Sequence, residues 1–195
     1  MTAADGGIRR GQVTVESVVQ EMMTAVALGD SSRVRLILRQ YRSDFAEGDL
    51  WIAFRLASKG GDIAVCEAFL DSGVNVNVSD ADGLTPLMTA AQFGQTEVVR
   101  LLLHRGAFVD ATTRSGATAL HSAAAANQYD AAQLLLGAGA AVDRRTTDGY
   151  TAMDLARTRS ISWRVPVLGL HFHGRTFRIR STPLTKLLRA RLVRT

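Results

Sequence analysis

One pattern recurs in this chain every 33 residues, and it constrains the fold more than any other feature. The segment GLTPLMTAAQFGQTEVVRLLLHRGAFVDA from Gly83 aligns without a gap with GATALHSAAAANQYDAAQLLLGAGAAVDR from Gly116, and GYTAMDLA from Gly149 opens a further copy. In the other direction, LWIAFRLASKGGDIAVCEAFLDSGVNVNV from Leu50 falls in the same frame. Units of this length cannot bury an apolar face alone, so we expect them to stack into a solenoid.

The residues of one copy predict two short helices followed by an extended finger. Thr85 is a helix-capping residue and Pro86 suits the first helical turn, and the small apolar residues that follow share one face. Gly94 predicts a turn, after which QTEVVRLLL predicts an amphipathic helix that ends at Gly106. The turn formers of AFVDATTRSG indicate a finger that reaches the next copy.

The segments DGLTPLMTAA, SGATALHSAA and DGYTAMDLA resemble the ankyrin repeat. Ala119 replaces the proline in the second segment, and Asp154 replaces the usual histidine in the third. The resemblance implies an all-α fold: an ankyrin-type helix–turn–helix solenoid with short β-hairpin fingers, to which a basic C-terminal tail is added. At the histidine position, the resemblance implies that His121 makes a structural hydrogen bond to the backbone of the neighbouring finger.

On this interpretation the chain has four parts. They are a flexible N-terminus (1–14), a degenerate N-terminal cap repeat (15–47), three full repeats and a truncated fourth (48–160), and a basic C-terminal tail (161–195). Four arginines of the cap fit either the solvated face of an end unit or a binding patch. They are Arg33, Arg35, Arg39 and Arg42.

The fourth copy breaks off where its second helix should begin. Ser160 stands at the position of the turn glycine, and Pro166 lies where the interior of the helix belongs. Residues 1–156 hold 13 Lys and Arg against 18 Asp and Glu, a net charge of −5, whereas residues 157–195 hold 10 Lys and Arg and no acid. The body is therefore mildly acidic and the tail strongly basic.

The tail sequence predicts a hairpin in VLGLHFHGRTFRIR and an amphipathic helix in STPLTKLLRARLVRT. Three interpretations stay open. The helix caps the open end of the fourth repeat; or the tail binds an anionic membrane surface, nucleic acid or acidic protein; or it is not a selected part of the repeat protein. On the second interpretation the anion-binding residues are Arg175, Arg178, Arg180, Lys186, Arg189, Arg191 and Arg194.

The sequence contains no catalytic or nucleotide-binding motif of the GxGxxG, GxxxxGK[ST], GxSxG or HExxH type. Cys66 lies in an apolar helical run, which favours a buried, inert thiol over a reactive one, and a lone cysteine suits a reducing compartment. His171 and His173 supply at most half of a metal site. We expect no enzyme, no cofactor and no metal, and a monomeric, soluble protein of the cytoplasm or nucleus without a secretory signal.

The resemblance places partner contacts on a concave face formed by the finger tips and the outward positions of the first helices. It implies non-catalytic protein–protein interaction, as a scaffold, adaptor or regulator. The alternative, anion binding through the tail, rests on the basic composition of residues 157–195. Large aromatic residues on such a face are typical anchors, so we expect Phe93 and Tyr150 to be exposed, whereas Trp51 is exposed or packed against its neighbour. The predicted contact residues are Trp51, Lys59, Ala81, Asp82, Leu84, Gln92, Phe93, Arg114, Ser115, Ala117, Ala125, Ala126, Asp148 and Tyr150.

Overall fold

The computed structural model describes residues 15–162 and 183–192, and within them the chain is mostly helical, with turns and loops between the helices. An isolated antiparallel bridge joins Arg145 and Thr151, and no strand forms in this part of the chain. The helices are α1 (Val15–Ala27), α2 (Ser31–Tyr41), a 3-10 turn (Arg42–Asp44), α3 (Glu47–Gly60), α4 (Ile63–Asp71), α5 (Pro86–Gln92), α6 (Thr96–His104), α7 (Ala119–Ala125), α8 (Tyr129–Gly137), α9 (Ala152–Ser162) and α10 (Pro183–Leu192).

The helices form two layers, as the 33-residue pattern predicts. Helices α1, α3, α5, α7 and α9 pack side by side in an inner layer, and α2, α4, α6, α8 and α10 do the same in an outer layer. Each inner helix also packs against the outer helix that follows it. The expected all-α solenoid is therefore confirmed. The β-hairpin form of the fingers stays a prediction.

Small buried residues bring the inner helices together. Ala90 and Ala91 of α5, and Ala123 and Ala124 of α7, are completely buried. Because the distance between packed helices depends on the side chains at the contact, methyl groups at these positions allow α5 and α7 to approach closely. The outer layer contributes larger side chains to the same core, and among them are Val65, Phe69, Val99, Leu102 and Leu135.

Capping residues begin the helices where the sequence indicates. The Thr85 hydroxyl accepts a hydrogen bond from the Met88 backbone N–H at 3.3 Å, and Pro86 occupies the first turn of α5. The Asp62 carboxylate caps α4 in the same way, by accepting from the Val65 N–H at 3.1 Å. These bonds satisfy backbone donors that have no partner inside a helix.

The turn between an inner and an outer helix requires a left-handed residue, and one side chain bonds across it. Gly94 has a φ of +69°, and Asn127, 33 residues later, has a φ of +57°. Asparagine tolerates this conformation better than other residues with a side chain. The Gln128 amide crosses over Gly94 and donates to the Gln92 carbonyl at 3.4 Å, which ties neighbouring units together.

Each finger is a tight hydrogen-bonded turn. In the first, the Gly83 N–H donates to the Asp80 carbonyl at 3.0 Å, and the Asp80 N–H donates to the Leu84 carbonyl at 3.3 Å. The same two bonds recur at 113–117 and 146–150. Gly83 has a φ of +80°, the conformation that the last position of such a three-residue loop requires.

The last pair of the stack is completed by a segment from far along the chain. Helix α9 continues through Ser162, past the position where earlier units turn at a glycine or asparagine, and α10 packs against both α9 and α8. Leu184 and Leu188 are buried, and the Arg191 guanidinium donates to the Leu136 carbonyl at 2.9 Å. In its contacts α10 thus takes the place of the outer helix, the arrangement that the capping interpretation of the tail describes. The predicted flexible N-terminus and tail hairpin, with His171 and His173, lie outside the described residues.

Candidate partner-binding surface

The fold brings most of the predicted contact residues to two rows, the finger tips and the C-terminal ends of the inner helices. We call these rows together the inner surface: the tips at 80–84, 113–117 and 146–150, and the ends of α3, α5 and α7. Nine of the predicted residues are exposed: Lys59, Ala81, Asp82, Gln92, Phe93, Arg114, Ser115, Asp148 and Tyr150. The other five are half-buried: Trp51, Leu84, Ala117, Ala125 and Ala126.

The finger tips are joined to one another through the backbone. The Arg114 N–H donates to the Asp82 carbonyl at 2.8 Å, and the Thr147 N–H donates to the Ser115 carbonyl at 2.8 Å. The Arg114 guanidinium also lies 3.4 Å from the Asp82 carboxylate, as an exposed ion pair that contributes little to stability. The tips therefore form one ridge, in which part of the backbone N–H and C=O groups hydrogen-bond to the neighbouring tip. The side chains at the tips face solvent.

Trp51 is held by its neighbour in the stack. Its indole N–H donates to the Leu84 carbonyl at 2.9 Å, and the Arg55 guanidinium carbon lies 5.1 Å from the centroid of the ring. Trp51 is only partly accessible. Of the two interpretations open for this residue, packing against the next unit is the one that the geometry supports.

Phe93 and Tyr150 are exposed, as expected. Their exposed fractions are 43% and 48%, whereas Phe54 on the inner helix α3 is completely buried. The Lys59 ammonium lies 5.0 Å from the centroid of the Phe93 ring, within the range of a cation–π interaction. Phe93 follows the last residue of α5, and Tyr150 precedes α9. Because α7 packs between α5 and α9, and the axes of packed helices lie about 8–10 Å apart, the two rings are separated by about 20 Å.

His121 makes the bond that the resemblance implies, at the base of the same finger. Its Nε2 lies 3.2 Å from the Tyr150 carbonyl, and its Nδ1 accepts from the Thr118 N–H at 3.2 Å. Burial lowers the pKa of the imidazole below 6.5. At the equivalent position of the next unit, the Asp154 carboxylate accepts from the Thr151 N–H at 3.0 Å, and this bond lowers the pKa of the carboxyl group.

Two exposed apolar residues of the inner layer were missed by the sequence prediction. Ile52 aligns with the buried cap Thr85, but α3 begins earlier than the other inner helices, so Ile52 lies inside the helix with 43% of its surface exposed. Leu28 precedes Gly29 as Phe93 precedes Gly94, and 77% of its surface is exposed. The sequence signal for Leu28 is the turn glycine that follows it, because Gly29 aligns with Gly61 at an offset of 32, one residue short of the repeat length.

The remaining chemistry of the described residues is sparse. The Cys66 thiol is buried beside the Ser58 hydroxyl at 3.9 Å, and burial raises its pKa to about 12, so it is almost wholly un-ionised at neutral pH. No group of three or more His, Cys, Asp or Glu side chains in this part of the chain is arranged to hold a metal ion. None of its helices has the length and apolar character needed to span a bilayer.

The tail residues predicted to bind anions are described only in part. Lys186, Arg189 and Arg191 are exposed on α10. Lys186 and Arg189 lie away from the buried Leu184 and Leu188, whereas Arg191 lies on the same side as these leucines and its guanidinium donates to the Leu136 carbonyl. The other four predicted residues lie outside the described residues: Arg175, Arg178, Arg180 and Arg194.

Comparison with known proteins agrees with the geometry. A family model that describes three copies of the ankyrin repeat matches residues 22–113 and 54–146, which together extend over more than half of the chain. No curated protein matches the chain. The match spans α1 to α8, whose paired helices, left-handed turns and buried His121 follow from the same 33-residue pattern. The chain belongs to the ankyrin-repeat family.

Proposed function

We propose that this chain is a non-catalytic module that binds a partner protein on its inner surface, as a scaffold, adaptor or regulator. Ankyrin repeats are generally protein–protein interaction modules. The observation that carries the proposal is the exposure of Phe93 and Tyr150 on a surface whose backbone is already tied together by hydrogen bonds. The lone Cys66, buried and un-ionised, suits a reducing compartment, and we place the protein in the cytoplasm or nucleus.

The chemistry of the inner surface favours a partner with an apolar centre and a mixed polar border. Binding energy in protein interfaces concentrates in a few large side chains that become fully desolvated, and aromatic residues are prominent among them. Phe93 offers a ring with a cation beside it, and Tyr150 offers a ring with a hydroxyl group. Asp82, Arg114 and Asp148 are exposed around the fingers and supply charges of both signs at the border.

A second candidate function is anion binding through α10. Leu184 and Leu188 are buried against the stack, so they are not free to insert into a membrane while α10 is docked. The exposed cations Lys186 and Arg189 remain available, whereas the Arg191 guanidinium already donates to the Leu136 carbonyl. Anion binding by the docked helix would therefore be electrostatic and would weaken steeply as salt is added.

Substitution of the two exposed rings tests the first proposal. We expect Phe93→Ala and Tyr150→Ala to change the melting temperature very little, since truncating exposed side chains usually changes stability by no more than about 0.5 kcal/mol. Each should weaken capture of the partner, and their effects should add because the rings are more than 10 Å apart. A large loss of melting temperature would place the rings in the core instead.

The same capture experiment separates the two candidates when α10 is kept in place. Deleting the helix would remove Leu184 and Leu188 from the core, so the sharper variant reverses charge with Lys186→Glu and Arg189→Glu. We expect capture by the reversed variant to equal that of wild type at both low and high salt. Capture that is lost on charge reversal and in about 0.5 M salt would favour α10 and contradict the inner surface.

A further inference from the structure

A groove on the outer layer, away from the inner surface, collects three arginines. It has a volume of about 340 Å³ and runs between the C-terminal ends of α2 and α4. Arg35 and Arg39 line it from one face of α2, at a spacing of four, and Arg42 lines it from the start of the 3-10 turn that follows α2. Ser72, at the end of α4, lies on the opposite side of the groove.

These arginines have no counter-ion among the described residues. No ion pair or side-chain hydrogen bond joins Arg35 or Arg39 to another residue in the described part of the chain, and the Arg42 Nε is buried without a hydrogen-bond partner there. The carboxylate that lines the groove belongs to Asp71, and Arg105 of α6 already contacts it at 3.0 Å. By contrast, Arg33 on the same helix pairs with Glu21 at 2.8 Å.

The helix ends account for only part of this charge. Each helix C-terminus carries a partial charge of about −0.5, so the two ends at the groove offset roughly one of the three positive charges. Like charges at a spacing of four on one helix face repel one another, and a buried guanidinium N–H without a partner carries a desolvation cost. A bound anion would relieve both costs.

We propose that this groove binds a phosphoryl group, carried either by a small phosphorylated molecule or by a phosphorylated side chain. A guanidinium presents two parallel N–H donors that match the spacing of phosphate oxygens. A phosphoryl group at neutral pH carries nearly two negative charges on three terminal oxygens, which suits a groove lined by three arginines better than a carboxylate with one charge on two oxygens.

The arginine side-chain Nε–H signals of the full chain, followed by ¹⁵N NMR at constant ionic strength, test the proposal. The probes are inorganic phosphate and N-acetyl phosphoserine amide, with sodium chloride and N-acetyl serine amide as controls. We expect saturable shifts of the Arg39 and Arg42 signals with at least one phosphorylated probe. Tighter binding of phosphoserine than of phosphate indicates a modified side chain as the source, and the reverse order indicates a small molecule.

Matched variants complete the test. Arg39→Gln should weaken phosphate binding by about tenfold, as expected for the loss of one charge-assisted hydrogen bond, and should leave unfolding unchanged because Arg39 is exposed. Arg100→Gln, an exposed arginine paired with Glu97 on α6, should bind as wild type does. Shifts that follow ionic strength alone, or an Arg39→Gln variant that binds as tightly as wild type, would overturn the proposal.

Discussion

At the scale of single residues, His121 couples one unit to the next. Its ring is buried and bonds to Thr118 within its own unit and to the Tyr150 carbonyl of the next finger. Burial lowers its pKa in the folded state, whereas in the unfolded chain it has the ordinary value of 6.5. The unfolded state therefore takes up a proton on acidification before the folded state does, and stability must fall as the pH falls below about 6.5.

Urea unfolding between about pH 7.5 and pH 5 measures this loss. With one proton involved, the slope contributed by His121 cannot exceed about 1.4 kcal/mol per pH unit. We expect His121→Gln to be less stable at neutral pH, because bonds to buried groups are lost, and to show a flatter pH dependence in this window. His104→Gln, at an exposed position, is the control and should keep the wild-type slope. Equal slopes in all three proteins would show that His121 titrates alike in the folded and unfolded states.

Alanine substitutions at two glycines with nearly the same backbone conformation separate the cost of backbone strain from the cost of a steric clash with the next finger. Gly83 and Gly73 have φ values of +80° and +81°, but a Cβ on Gly83 would lie 2.8 Å from the Thr112 carbonyl oxygen of the next finger, and a Cβ on Gly73 would meet nothing within 4 Å. Alanine in this conformation costs roughly 1–2 kcal/mol at either site. Gly83→Ala should lower the free energy of unfolding by about 1–3 kcal/mol more than Gly73→Ala does, because the new methyl group forces the two neighbouring fingers apart. Equal costs would mean that the fingers are not in close contact.

At the scale of elements, α10 is the helix whose role depends most on packing. Its leucines Leu184 and Leu188 are each only 1% exposed, and both lie in the core with residues of the stacked units. Each Leu→Ala change there should lower the free energy of unfolding by about 2–5 kcal/mol. Lys186→Ala and Arg189→Ala, on the exposed side of the same helix, should change it by no more than about 0.5 kcal/mol. Urea unfolding curves of the four variants test whether α10 packs against the stack. Leucine variants as stable as the lysine and arginine variants would mean that α10 is not docked.

The elements differ in how far sequence alone predicts them. The pairs from α3 to α8 follow from residues that repeat in one frame, such as Thr85 and Thr118 at the caps or Gly94 and Asn127 at the turns, and all of this information is local. The sequence also predicts a helix with a leucine stripe in the tail, but not what covers the stripe. The hydrogen bond from Arg191 to Leu136 joins residues 55 positions apart, a distance over which periodicity carries no information.

The sequence likewise predicts the exposure of some residues of the inner layer but not of others. Repeat position correctly indicates that Phe93 and Tyr150 are exposed, because the family frame leaves these positions free of packing. It cannot decide the environment of Trp51, which depends on the Leu84 carbonyl of the next unit. Nor does it predict the exposure of Ile52, which results from the early start of α3.

At the scale of the whole molecule, the stack offers two faces with different chemistry. The inner surface carries exposed rings and charges of both signs, while the outer layer carries the arginine groove at one end and the basic side of α10 at the other. In a solenoid each unit contacts mainly its neighbours, so a substitution at one end has little effect on the structure of the other. The faces can therefore be tested one at a time.

The most direct test of partner binding on the inner surface is site-specific photo-crosslinking of the full chain to its captured partner. A photoreactive phenylalanine analogue is placed at Phe93 or Tyr150 on the inner surface, and at Leu36 or Arg100 on the outer helices, all of which are exposed. We predict that the partner is crosslinked efficiently from Phe93 and Tyr150 and scarcely from Leu36 and Arg100. Crosslinking from the outer positions alone, or equally from all four, would contradict the assignment of partner binding to the inner surface.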